Sequence, residues 1–233
     1  MKLYGVKKEN IFLTVSAKQK AEKMIKSTDE EAYYQVIEGK QADRIRMIPH
    51  HAIKLLWDDN LKLDDPDTGR GKRFHRYIIA VDWAVGSGWT VMIVADRTSI
   101  PWKIVNFVRF RGNQFPMDEQ FGVLMNLRKN YNEADIIHDV SGYGKLIQQD
   151  LGIPEAYPFE FTGENKGALH LALKNALLEE KIKSPFIPEL NAELSSYTEQ
   201  TKRNQDCVMA LGMLCYDLYH NVTTSRVNLI DLP

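Results

Sequence analysis

YIIAVDWAVGSGWTVMIVAD (77–96) decides the fold. Its first nine residues are apolar but for one aspartate, the composition of a strand buried on both faces. Gly86-Ser87-Gly88 is a tight-turn signal, and WTVMIVAD (89–96) returns as a second strand. WKIVNFVRF (102–110) reads as a third, so the domain opens as an antiparallel meander. Beyond it, residues 116–131 carry Phe121, Leu124, Met125, Leu127 and Tyr131 at helical spacing. ADIIHD (134–139) is a short strand, followed by a Gly142/Gly144 turn and a helix. YPFEF (157–161) is another strand, and GALHLALKNALLEEKI (167–182) is a periodic helix. A further helix precedes residue 200, and the last runs from about Gln205 to His220. Three antiparallel strands and then alternating helix and strand predict an α/β fold, a mixed sheet with helices on both faces.

Upstream the pattern weakens. Residues 1–57 look helical and polar, apart from IFLTV (11–15) and an amphipathic AIKLLW (52–57). Residues 58–76, DDNLKLDDPDTGRGKRFHR, switch from acidic to basic around Pro66, Gly69 and Gly71, which reads as an exposed linker. The expected division is a helical connecting segment over 1–73 and a main domain over 74–233.

The totals narrow the function classes. With 233 residues and 44% hydrophobic content, the chain can bury an ordinary core. Its formal net charge of −1 gives no global attraction to nucleic acid, so any such binding needs local basic patches. No apolar run approaches the roughly 18 residues of a membrane helix, and IFLTV is too short for a signal-peptide core. Cys207 and Cys215 lie on one predicted helix, roughly 12 Å apart along its axis. They are out of disulfide reach and read as buried thiols of a reducing cytoplasm.

Three aspartates stand where a structural residue is usually apolar or small. Asp82 interrupts the first strand between Ala80-Val81 and Trp83-Ala84-Val85, although Asp is depleted in strands. Asp139 closes a predicted parallel strand at its carboxyl end, the end where open α/β sheets place ligands. An Asx turn would explain it equally well. Asp206 opens the last helix, where an acidic residue is favoured by capping and the helix dipole alone. It borders the stripe formed by Cys207, Ala210, Leu211, Leu214, Cys215 and Leu218, and so can face the sheet end. Asp217 lies about 16 Å further along the helix and reads as a surface residue. A buried lone carboxylate costs several kcal/mol unless a charge or metal offsets it. Together Asp82, Asp139 and Asp206 suggest a shared divalent-cation site. There is no GxSxG, HExxH or GxxxxGK[ST] motif to support a competing mechanism.

In this order, AVDWAVGSGWT, IIHDVSGYGKLIQQDL, a periodic helix ending KIKSP, and NQDCVMAL resemble the nuclease domain of phage large terminase subunits. The similarity covers roughly residues 74–222. It implies the RNase H-like fold shared with Holliday-junction resolvases and retroviral-type integrases. The last motif departs from the family pattern. Many relatives have two adjacent aspartates and a third three residues on, whereas this chain has Gln205-Asp206 and Met209. Asp206 is the one carboxylate left there.

The resemblance implies a metal-dependent endonuclease that cuts double-stranded DNA during viral genome packaging. Asp82, Asp139 and Asp206 would be both catalytic and metal-binding, holding two Mg²⁺ or Mn²⁺ ions with Asp82 as the bridge. The expected products are a 3′-hydroxyl and a 5′-phosphate. The implied partners are a terminase ATPase motor, a small terminase subunit and a portal protein, in the host cytoplasm with no membrane. The motor's phosphate-binding loop is not in this sequence, which implies a nuclease portion or a divided gene. Lys145, Lys166, Lys202 and Arg203, near the motif ends, are candidate DNA contacts. His138 is a candidate for orienting a water or phosphate, though a strand-end residue is the plainer reading. Two other readings share the fold: a Holliday-junction-resolvase-like structure-selective nuclease, and a non-catalytic RNase H-like module that binds DNA or protein.

Overall fold

The computed structural model describes residues 47–66, 68–141, 144–145, 156–198 and 205–227. The helical reading of residues 1–46 and the helix expected after the Gly142/Gly144 turn lie largely outside them.

The meander is present. β1 (Tyr77–Asp82), β2 (Trp89–Asp96) and β3 (Trp102–Arg111) pair antiparallel in succession. β4 (Asp135–Asp139) joins β1 in parallel, and β5 (Ala156–Phe159) joins β4 in parallel. A two-residue strand not expected from the sequence, β6 (Ile182–Lys183), pairs in parallel with β3. The sheet order is β5-β4-β1-β2-β3-β6, with β1 near its middle. This position explains why every residue of β1 is buried. The strand stops at Asp82 rather than continuing to residue 85. The chain then turns away, with the Ala84 N–H given to Thr90 Oγ1 and Gly86 at φ 93°. That φ is costly for any residue with a Cβ.

Strand alternation divides the core in two. Ile78 and Ala80 of β1, Val91, Ile93 and Ala95 of β2, and Ile137 of β4 face one side. Four helices cover that side: α1 (His50–Leu56), α3 (Gly163–Leu178), α4 (Pro188–Ser196) and α5 (Asp206–Val227). Ile79, Val81, Met92, Val94 and Ile136 face the other side, where α2 (Met117–Asn130) supplies Leu124 and Leu127. Helices thus lie on both faces. No described helix is long and apolar enough to cross a membrane.

Two helix boundaries differ from the sequence reading. α3 begins four residues earlier than its apolar period, because Thr162 Oγ1 accepts the Asn165 N–H at 3.2 Å and caps a polar first turn. It ends at Leu178, and Glu180 takes a left-handed φ of 52° so that Ile182 can enter the sheet. The amphipathic stretch at 52–57 is α1, whose Ala52, Ile53 and Leu56 are core residues. The described residues of 58–76 are irregular and mostly exposed, but they are tied to the sheet. The Asp64 N–H donates to the Val105 carbonyl at 2.7 Å, and Tyr131 OH donates to Asp64 Oδ2 at 2.9 Å.

Asp217 is not at the surface. It is 1% exposed and lies 3.5 Å from Arg97, which also pairs with Asp135. Eleven residues of α5 carry it from Asp206 to the opposite end of the sheet, where the buried guanidinium holds α5 against β2 and β4. Cys207 and Cys215 are free and buried, as read from their spacing, and burial raises both thiols' pKa values.

Candidate active site

Register and alternation build the site. Val81 pairs with His138 across the parallel β1–β4 ladder, so Asp82 and Asp139 are the next residues on both strands. Asp82 shares the parity of Ala80, and Asp139 that of Ile137; both faces meet α5. Each carboxylate is 8% exposed. α5 begins at this end of the sheet, and Asp206, its first residue, accepts the Trp89 N–H through Oδ2 at 3.4 Å. The three aspartates singled out by the sequence therefore gather at one sheet end.

Their electrostatics are unfavourable as they stand. Among the described residues, no donor hydrogen-bonds to the Asp82 side chain. Burial pushes its pKa well above the usual carboxylate range, and the Asp206, Asp139 and Glu193 charges push it further. Asp139 is also raised by burial, against the opposing effect of the Ser141 N–H, which donates to Oδ1 at 2.6 Å. The Asx turn and the candidate ligand are thus the same residue, with one oxygen used locally. Burial raises Asp206 as well, opposed by Trp89 N–H, Arg109 and Arg111.

Close backbone packing fixes Asp139. A Cβ on Gly144 would lie 1.8 Å from the Asp139 carbonyl oxygen, so only glycine fits there.

A fourth acid escaped the sequence reading. Glu193 of α4 is 5% exposed. Its Oε2 accepts the Cys207 N–H at 2.8 Å, and its Oε1 accepts Arg109 Nη2 at 3.0 Å. It thus caps the N-terminus of α5 from a neighbouring helix. Burial raises its pKa, against the Cys207 and Arg109 contacts. The available signal was an acid inside the buried i, i+3, i+4 set Leu190, Glu193, Leu194.

A basic cluster was missed too. The guanidinium carbons of Arg109 and Arg111 stand 4.2 and 4.1 Å from the Trp89 ring centroid. Trp89 pairs with Arg111 across β2 and β3, at the carboxylate end of the sheet.

The predicted basic contacts fare differently. Lys145 is largely exposed and 3.2 Å from Glu160. Lys166 is half-buried near the start of α3. Lys202 and Arg203 lie outside the described residues. His138 does not join the cluster: its parity turns it to the opposite face, where it is fully buried and its Nδ1 accepts Trp83 Nε1–H at 3.2 Å. Met209, where many relatives are expected to carry an acid, is buried in the apolar core.

Among the described residues, no three His, Cys, Asp or Glu side chains are grouped so as to enclose one ion by themselves. The donor chemistry nevertheless suits a hard divalent cation, since Mg²⁺ takes one or two carboxylates and completes its shell with water. Asp82 with Asp139, and Asp82 with Asp206, are the pairs that could hold one.

Comparison with known proteins agrees with this architecture. A family model described as the terminase RNaseH-like domain matches residues 79–217. No curated protein sequence matches the chain. Among solved structures, the large terminase nuclease from thermophilic phage G20c with bound magnesium is 18% identical, with a TM-score of 0.62 over 76% of this chain and 98% of that one. The same nuclease also aligns in its zinc-bound and cobalt-bound forms. The Thermus phage P74-26 large terminase nuclease domain is 19% identical, with a TM-score of 0.57 over 72% of this chain and 93% of that one. A large terminase from another thermophilic bacteriophage, in complex with ADP, is 15% identical, with a TM-score of 0.54; it covers 92% of this chain, which spans 54% of that longer one. The fold is therefore RNase H-like.

Proposed function

Because the chain belongs to the terminase RNaseH-like domain family, we propose that it is a divalent-cation-dependent endonuclease that cuts double-stranded DNA during viral genome packaging. The observation that carries this reading is Asp82. It is a buried carboxylate with no hydrogen-bond donor among the described residues, and other carboxylates raise its pKa further. A fold that only needed to be stable gains nothing from that arrangement. A cation binding there offsets the repulsion.

In this reading Asp82, Asp139 and Asp206 would together hold the Mg²⁺ or Mn²⁺ ions. When bound, the ions supply Lewis acidity, lowering the pKa of water and stabilising the departing oxygen. The chain's residues hold the geometry. The Ser141 N–H fixes one Asp139 oxygen and leaves the other for a ligand. Trp89 N–H and the Glu193-capped start of α5 fix Asp206. Water adds to phosphorus and the bond to O3′ breaks, leaving a 3′-hydroxyl and a 5′-phosphate. We read residues 74–233 as the nuclease domain and 1–73 as its connecting segment. An ATPase motor, a small terminase subunit and a portal protein in the host cytoplasm would be its partners.

The test is incubation with supercoiled plasmid in Mg²⁺, Mn²⁺ or EDTA, followed by ligation of the products. Cation-dependent cutting that leaves ligatable 5′-phosphate ends is expected. Cutting that persists in EDTA would overturn the reading.

A further inference from the structure

We propose that Arg111, laid on Trp89 beside Arg109, is a preformed phosphate-binding fork that holds the DNA backbone next to the carboxylates. The inference rests on the nuclease reading and deepens it.

The two arginines differ in what already occupies them. Arg109 is neutralised by buried Glu193. Arg111 donates Nη1 to the Ser87 carbonyl at 2.6 Å, a neutral acceptor. Among the described residues, no carboxylate lies within ion-pair distance of Arg111. Its charge is therefore available.

The way Arg111 is held suits a phosphate. The indole occupies the guanidinium near its face, at 4.1 Å to the ring centroid. Among the described residues nothing takes the in-plane N–H groups not used on Ser87, and a planar fork matches two phosphate oxygens. Prior ordering by Trp89 and Ser87 lowers the entropy lost on binding.

Location supplies the rest. Trp89 gives its backbone N–H to Asp206, so the arginine cluster and the carboxylates share one strand end. Both guanidiniums act on the Asp206 charge. An acidic cluster in a chain of net charge −1 repels DNA, and an unpaired cation beside it is what local attraction requires. Of the lysines expected from the sequence, Lys145 already faces Glu160.

The test compares the full chain with its Arg111→Ala, Arg111→Lys and Lys103→Ala variants. Lys103 is exposed on the same strand, about 26 Å from Arg111 at 3.3 Å per residue. Binding to a 30-base-pair duplex is followed by fluorescence anisotropy in EDTA across NaCl concentrations, with Mn²⁺-dependent cleavage kinetics in parallel. Arg111→Ala is expected to reduce the salt slope by about 0.9, the value for one phosphate. Its KM should rise about tenfold, with kcat nearly unchanged. Arg111→Lys should restore the slope but only part of the affinity, and Lys103→Ala should match wild type. If wild type cuts and Arg111→Ala keeps both slope and KM, the fork is overturned and the nuclease reading stands. If the chain binds but never cuts, yet Arg111→Ala lowers the slope, the fork stands and the catalytic reading falls.

Discussion

Asp82 and Asp139 occupy equivalent positions at the carboxyl ends of neighbouring parallel strands, each one residue beyond the paired Val81 and His138. Two buried carboxylates on adjacent strands repel each other, and the Asp139 charge raises the Asp82 pKa.

The repulsion fixes a pH dependence. The folded state raises the Asp82 pKa above its ordinary value near 3.8. A raised acid stabilises the fold fully below the unfolded pKa, and that contribution is lost as pH rises through the folded value. Asp82→Asn cannot ionise, so in EDTA its melting temperature should gain on wild type as pH rises above about 4. Added Mg²⁺ should narrow the gap. A difference in melting temperature that stays constant with pH would show that the fold does not raise the Asp82 pKa.

Gly144 should be intolerant of any side chain. The Cβ of Gly144→Ala would sit 1.8 Å from the Asp139 carbonyl oxygen, forcing that segment to move. A displacement on the order of 1 Å costs roughly a hundredfold in rate. Single-turnover cleavage by Gly144→Ala should fall by that amount, with little change in the β-sheet circular dichroism. Activity at the wild-type level would mean that the Asp139 position is not needed.

Asp217 should matter for stability rather than chemistry. Asp217→Ala deprives buried Arg97 of a carboxylate partner and leaves it Asp135. Urea unfolding should show a loss of about 3 kcal/mol, the range for breaking a buried pair. Cleavage per folded molecule should be unchanged, because Asp217 stands at the far end of the sheet from Asp206.

Glu193 should couple the two. Glu193→Ala leaves Arg109 without its carboxylate and uncaps α5, a loss of about 3 kcal/mol. Glu193→Gln keeps an acceptor for Cys207 N–H but drops the charge, and should lose about 1–2 kcal/mol. Unfolding curves give both values. A neutral Glu193→Ala would show that the α5 cap is dispensable.

The meander and the three aspartates were legible because their signals are local. An apolar run announces a central strand, and an aspartate inside one is conspicuous. Asp206 was legible as a helix start, and the fold then brought it to the sheet end. Residues whose meaning depends on distant partners were not legible. Asp217 resembles any helical surface acid until Arg97, far away in sequence, is placed against it. Glu193 sits in a short helix where an acid normally faces solvent. Arg109 and Arg111 were hidden by a register shift in β3, which pairs Val94 with Asn106 but Ala95 with Ile104. The extra residue, Val105, reverses the alternation that would have placed them. His138 follows the same logic in reverse: adjacency to Asp139 in sequence means opposite faces in a strand.

The most direct test of the carboxylate cluster is Mn²⁺ binding by titration calorimetry, on wild type and on Asp82→Asn, Asp139→Asn and Asp206→Asn, with plasmid cleavage measured on the same samples. Wild type should bind Mn²⁺ and cut. Asp82→Asn should lose both while melting cooperatively, and the other two should each weaken binding. Undiminished Mn²⁺ binding and cleavage by folded Asp82→Asn would contradict a cation site built on Asp82.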